Sequence, residues 1–165
     1  LMTVREKKGR LHGLRVAIIG DIAHSRVARS NIVAFTKMGS EVILSGPPTM
    51  IPIGIERMGA KVTYDPNEAI SNADVIMMLR IQKERQENFL FPSEREFARF
   101  YGLDTDSLSQ AKDDVLIMHP GPLNRGVEIS PEVADGPYSV ILEQVTNGVA
   151  LRMALLYLVC NRVKE

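Results

Sequence analysis

Three short strings gather side chains suited to ligand binding or proton transfer. The first runs Gly20-Asp21-Ile22-Ala23-His24-Ser25-Arg26, the second Leu79-Arg80-Ile81-Gln82-Lys83-Glu84-Arg85, and the third His119-Pro120-Gly121-Pro122-Leu123-Asn124-Arg125. An arginine guanidinium is a planar fork that meets a carboxylate through two parallel N–H donors. In extended chain residues two apart share a face, so Arg80 and Gln82 point the same way, and a glutamine beside such a fork can take an amine through its oxygen. Glu84 can orient Arg80 or Arg85. The same composition also describes a solvated charged loop, and the second string alone leaves both readings open. Ser25 suits a helix cap, which would put Arg26 in the first turn beside unpaired amides. A cation there is unfavourable unless an anion sits between, so Arg26 is either an anion contact or an ion-paired surface arginine. His119 opens a loop with two prolines one residue apart, a rigid turn that fits a cis bond before Pro122 and the exposure of backbone carbonyls. It is a candidate acid or base, or a structural histidine bonded within the loop.

Other chemistries find no support. A dinucleotide fingerprint needs Gly-x-Gly-x-x-Gly after the first strand, where only Gly20 stands, and strand two ends in Ser45-Gly46-Pro47 rather than an acidic residue. No cofactor and no metal site is expected. Neither a Ser-His-Asp order nor a close carboxylate pair can be argued. Lys plus Arg and Asp plus Glu each count 20, so the counterion-displacing excess of a nucleic-acid binder is missing. The single cysteine, Cys160, favours a reducing, cytoplasmic setting. No 18-residue apolar stretch suggests a membrane partner.

The elements that position these strings alternate. Arg15 to Asp21 reads as a strand buried on both faces, and Ser25 to Met38 as a helix with apolar residues at Val27, Ala28, Ile32 and Phe35. Glu41–Leu44 follows as a strand, Pro52–Met58 as a short helix, Ala60–Tyr64 as a strand, Pro66–Ser71 as a short helix and Asp74–Leu79 as a buried strand. Arg80–Pro92 has no apolar periodicity and reads as a loop. Ser93–Tyr101 and Ser107–Ala111 read as helices and Val115–Met118 as a fifth strand. The basic run Arg5 to Arg10 reads as a helix end closed by Gly9. The pattern predicts an α/β, doubly wound parallel sheet of about five strands, Rossmann-like, with helices on both faces. In such sheets ligands bind beyond the carboxyl ends of the strands, and an order 3-2-1-4-5 makes strands one and four neighbours.

A long C-terminal helix is expected from Tyr138 to about Arg162. Val149–Cys160 carries one charge, Arg152, in twelve residues. A surface helix is apolar along one stripe only, so this one calls for a cover, either within the domain or from a partner domain.

Together the strings 20–31, 79–85 and 119–129, with Gln144 to Ala154, resemble the aspartate-binding domain of aspartate carbamoyltransferases over essentially all 165 residues. The sister ornithine enzymes have His-Cys-Leu-Pro where this chain has His119-Pro120-Gly121-Pro122, which favours aspartate. The resemblance implies that Arg26 and Arg80 hold the two carboxylates of aspartate and that Gln82 lies beside its amino group. It implies that the Pro120 and Pro122 loop binds the carbamoyl group and the amine through carbonyls, that His119 holds this loop, and that Glu84 and Arg85 orient and bridge on closure. The resemblance implies the family's reaction, in which the aspartate amine attacks the carbonyl carbon of carbamoyl phosphate and expels phosphate, a step of pyrimidine synthesis.

The family's Ser-Thr-Arg-Thr-Arg phosphate motif is missing, and with it the catalytic histidine of its other domain, so no complete catalytic set is expected here. The resemblance therefore divides the chain into the tail of an inter-domain linker helix (1–14), an aspartate-binding domain (15–137) and a C-terminal helix that packs on an amino-terminal domain (138–165). It implies a homotrimer, inactive as this half alone. The rival readings are a carbamoyltransferase for another amino acid and a dicarboxylate-binding module without chemistry.

Overall fold

The computed structural model describes residues 1–81 and 93–161. A five-stranded, wholly parallel sheet has the order β3-β2-β1-β4-β5, built from β1 (Arg15–Gly20), β2 (Glu41–Ser45), β3 (Lys61–Thr63), β4 (Val75–Leu79) and β5 (Leu116–Met118). Strand side chains alternate between two cores. Val16, Ile18, Val42, Leu44, Val75 and Met77 meet Ala28, Ile32 and Phe35 of α2 (Arg26–Lys37) on one face. Ala17, Ile19, Ile43, Ile76 and Ile117 meet Ala69 and Ile70 of α3 (Pro66–Ile70) on the other. This double burial is why the strands read as unbroken apolar runs, and each large side chain removed from water contributes about 1.5–3 kcal/mol.

The sheet's two ends differ. At the amino ends, Arg15 pairs with Glu41 at 3.0 Å, Lys61 with Glu41 at 2.6 Å and Lys112 with Asp74 at 2.7 Å. At the carboxyl ends of β1 and β4 the backbones approach closely. Gly20 has φ +129°, and a Cβ built there would stand 2.4 Å from the Leu79 carbonyl oxygen. Only glycine fits both conditions.

Several elements differ from expectation. The short helix expected over 52–58 is a 3-10 turn at Ile55–Met58, because Gly54 sits at φ +76° and interrupts any earlier helical start, and a further 3-10 turn, Pro48–Met50, precedes it. The helix expected over 107–111 is α5 (Thr105–Leu108). Its start is fixed by Asp104, whose carboxylate accepts the Ser107 N–H at 2.8 Å. A four-residue helix, α6 (Pro131–Ala134), capped by Ser130, went unanticipated. Between β4 and β5 the described helices are α4 (Glu94–Tyr101) and α5.

The chain ends form a pair. α1 (Met2–Lys8) closes at Gly9 and packs on α7 (Ile141–Asn161). Lys7 pairs with Glu143 at 2.6 Å, and Asn147 Nδ2 donates to Thr3 Oγ1 at 3.1 Å and to Glu6 Oε2 at 2.6 Å. Beyond this contact the whole stretch Val149–Cys160 is exposed; Met153 is 66% and Tyr157 70% accessible. Nothing within the described residues covers it. Among those residues no helix is long and apolar enough to cross a membrane.

Candidate functional site

Three adjacent strand ends build the candidate site. β1 pairs with β4, Gly20 opposite Leu79, and β4 pairs with β5, Met77 opposite Met118. The chains leaving β1, β4 and β5 therefore emerge side by side at the carboxyl edge, where an open α/β sheet presents its ligand crevice.

After β1 the chain turns tightly, with the Ile22 N–H donating to the Gly20 carbonyl at 3.0 Å and the Ser25 N–H to the Ile22 carbonyl at 3.2 Å. Asp21, fully buried, accepts the His24 N–H at 3.2 Å, and its Oδ1 lies 2.8 Å from His24 Nδ1. Ser25 Oγ accepts the Ala28 N–H at 3.1 Å and caps α2, so Arg26 is the first helical residue. Arg26 is exposed, α2 has no acidic residue in its first turn, and among the described residues no ion pair or hydrogen bond engages this guanidinium. A cation beside unpaired helix amides is a place where an anion relieves two positive partial charges at once.

Arg80 leaves β4 one residue after Leu79 and is half-buried. Ile81 anchors the next step by packing with Met50 and Phe97. Gln82, Glu84 and Arg85 lie outside the described residues.

The third strand end is a buried polar network. His119 is fully buried. Its Nδ1 accepts the Gly121 N–H at 2.9 Å, and its Nε2 lies 3.1 Å from Glu128 Oε1. A ring nitrogen that accepts a backbone N–H carries no proton, so the proton belongs on Nε2 and is donated to the carboxylate. Both nitrogens are thus engaged within the loop, and the ring is not placed to exchange protons with a substrate. The His119 N–H donates to Gln144 Oε1 at 3.2 Å, and the Asn124 N–H donates to Glu128 Oε1 at 2.6 Å. The peptide bond before Pro122 is cis. The prolines have no N–H, and the donors at Gly121 and Asn124 are taken by His119 and Glu128. The carbonyls of Pro120, Gly121 and Pro122 accept no hydrogen bond from the described residues. Such a loop offers acceptors to an N–H-bearing ligand.

Pro120 and Gln144 also border a groove of about 780 Å³ between α1, α2 and α7, together with Thr3, Val27, Asn31 and Asn147. No group of His, Cys, Asp and Glu among the described residues could hold a metal ion. Glu128 and Gln144 fall within the strings 119–129 and 144–154, but the sequence assigns neither a role. The one signal for Glu128 was a carboxylate standing alone between the apolar Val127 and Ile129.

Comparison with known proteins finds matches over almost the whole chain. A family model described as aspartate/ornithine carbamoyltransferase, Asp/Orn binding domain, matches residues 12–159. A curated relative from Desulfosudis oleivorans, named aspartate carbamoyltransferase catalytic subunit, is 70% identical over 165 residues, covering 100% of this chain and 53% of its own length. Among solved structures, ornithine carbamoyltransferase from Pyrococcus furiosus superposes with a TM-score of 0.82 at 31% identity, over 94% of this chain and 52% of that one. Aspartate transcarbamoylase from Trypanosoma cruzi in complex with N-(phosphonacetyl)-L-aspartic acid superposes with a TM-score of 0.80 at 26% identity, over 94% and 52%. The chain spans about half the length of the curated relatives it matches.

Proposed function

The chain belongs to the aspartate/ornithine carbamoyltransferase family through its Asp/Orn-binding domain, and from that premise we propose that it is the aspartate-binding half of an enzyme that carbamoylates L-aspartate. In this reading the second substrate, carbamoyl phosphate, is held by an amino-terminal domain. The aspartate amine forms a bond to the carbonyl carbon as the carbon–oxygen bond to phosphate breaks, a step of pyrimidine synthesis.

The observation that carries the reading is the neighbour relation of β1 and β4. It sets Arg26 and Arg80 on adjacent chain segments at one edge of the sheet. Aspartate has two carboxylates a few bonds apart, and two guanidinium forks at one crevice complement them. Ornithine offers one carboxylate and an ammonium, which a second fork would repel. Gln82 and the carbonyls of Pro120, Gly121 and Pro122 take the amine and the carbamoyl N–H groups, His119 holds that loop, and Glu84 and Arg85 orient and bridge when the halves close. Catalysis is then chiefly positioning and charge compensation, since the one buried histidine is committed to its loop.

Residues 1–14 serve as the end of a linker helix, 15–137 as the aspartate domain, and 138–165 as a helix that packs on the amino-terminal domain. The exposed apolar surface of α7 and the double length of the relatives support this division. The working enzyme is a cytoplasmic homotrimer that needs no cofactor. The test is complementation. This chain alone should form no carbamoyl aspartate from aspartate and carbamoyl phosphate, and adding a carbamoyl-phosphate domain from a relative should restore formation. Turnover by the chain alone, or restored activity with ornithine and not aspartate, would refute the reading.

A further inference from the structure

We infer that Glu128 is a positioning residue for the carbamoyl-transfer site, acting through His119 to set the Pro120–Pro122 loop. The inference rests on the aspartate carbamoyltransferase reading and adds a residue to it. Glu128 is fully buried nine residues after His119, and its backbone is fixed where the Leu103 N–H donates to the Glu128 carbonyl at 3.0 Å. One carboxylate oxygen, Oε1, receives both the His119 Nε2–H at 3.1 Å and the Asn124 N–H at 2.6 Å. By taking the Nε2 proton the carboxylate selects the ring tautomer whose Nδ1 is bare, and only that tautomer can accept the Gly121 N–H at 2.9 Å. Glu128 thus pins the turn on both sides of Pro122, directly at Asn124 and through the ring at Gly121. The Gly121 and Pro122 carbonyls lie between the two pins and the Pro120 carbonyl adjoins the first, and none of the three accepts a hydrogen bond from the described residues.

Stability does not explain the residue. A buried carboxylate carries a desolvation cost that an apolar side chain of similar volume avoids. Here Oε2 is also buried with no hydrogen-bond partner among the described residues. A cost retained in the loop that follows β5, bonded to His119 and Asn124, is what positioning demands and packing does not.

Two variants and one spectroscopic readout test this. In the enzyme assembled from this chain and a carbamoyl-phosphate domain, Glu128→Leu should lower kcat with aspartate on the order of a hundredfold, the cost of a reactive group displaced by about 1 Å. The KM for carbamoyl phosphate should change little. Glu128→Gln keeps an Oε1 acceptor for both donors and should recover most of the loss. Imidazole ¹⁵N shifts of this chain should report His119 protonated on Nε2 in the wild type and a mixture of tautomers in Glu128→Leu. Should Glu128→Leu fail to fold, the Gln variant and the wild-type tautomer decide. A wild-type ring protonated on Nδ1, or a folded Glu128→Leu with wild-type kcat, overturns the inference and leaves the family's activity untouched. A wild-type assembly that does not carbamoylate aspartate strikes the functional reading instead, and the tautomer still judges the role of Glu128.

Discussion

Replacing Gly20 by alanine should separate β1 from β4 at the edge where Arg26 and Arg80 emerge. A Cβ at this position would lie 2.4 Å from the Leu79 carbonyl oxygen and 3.1 Å from its Cβ, whereas ordinary contact begins near 3.4 Å. A gap of about 1 Å must therefore open, and overpacking of that kind costs about 1–3 kcal/mol. The backbone at φ +129° is a conformation that alanine rarely adopts, which adds about 1–3 kcal/mol. The sum, about 2–6 kcal/mol, is a large share of the roughly 5–15 kcal/mol that holds a domain together. Urea unfolding followed by circular dichroism should show the midpoint falling accordingly with the slope unchanged. Gly148→Ala in exposed α7, where a Cβ meets nothing within 4 Å, should be neutral or stabilising by up to about 1 kcal/mol. If Gly20→Ala unfolds at the wild-type urea concentration, the close approach of β1 and β4 is wrong and the argument for a shared edge falls with it.

Two further outcomes follow from the surface. The Ser107 N–H, and then its hydroxyl, hold the Asp104 carboxyl below the usual aspartate range. A carboxyl lowered by folding contributes stability that is full above the unfolded value of about 3.9 and is lost as pH falls through the folded value. Chemical denaturation between pH 5 and 2 should therefore show a shallower acid loss in Asp104→Asn than in the wild type, and equal slopes would refute the capping account. The exposed apolar side chains of α7, among them Leu142, Val149, Met153 and Leu156, should make the isolated chain bind a hydrophobic dye and self-associate. A monodisperse monomer without dye binding at high concentration would mean that the helix is covered from within.

Sequence was most informative where burial is symmetric. β1, β2 and β4 are covered on both faces, so each reads as an apolar run that glycine, serine or arginine ends within a residue of its true limit. Periodicity failed in short elements governed by single residues. The turn at Gly54 cut the helix expected at 52–58 to a 3-10 turn, the Asp104 cap drew α5 forward from 107–111, and α6 is too short to show a period although Ser130 and Pro131 mark its start. At the site, Arg26, Arg80 and His119 were legible as candidates because each directly follows or closely trails a strand end, while charge alone left a solvated reading open for both arginines. Glu128 was not, because a carboxylate in a loop looks solvated until the fold closes over it. The bonding of His119 followed from that burial and not from any spacing.

The claim that two guanidinium forks share one aspartate is tested most directly by steady-state kinetics of Arg80→Ala and Arg80→Lys in the assembled enzyme. A charge-assisted bidentate pair contributes about 1.5–3 kcal/mol, so the alanine variant should raise the aspartate KM or lower kcat roughly ten- to a hundredfold. Lysine should rescue poorly, because a point charge cannot reproduce the fork, and carbamoyl phosphate binding should change much less. Near-wild-type aspartate kinetics in Arg80→Ala would contradict the account.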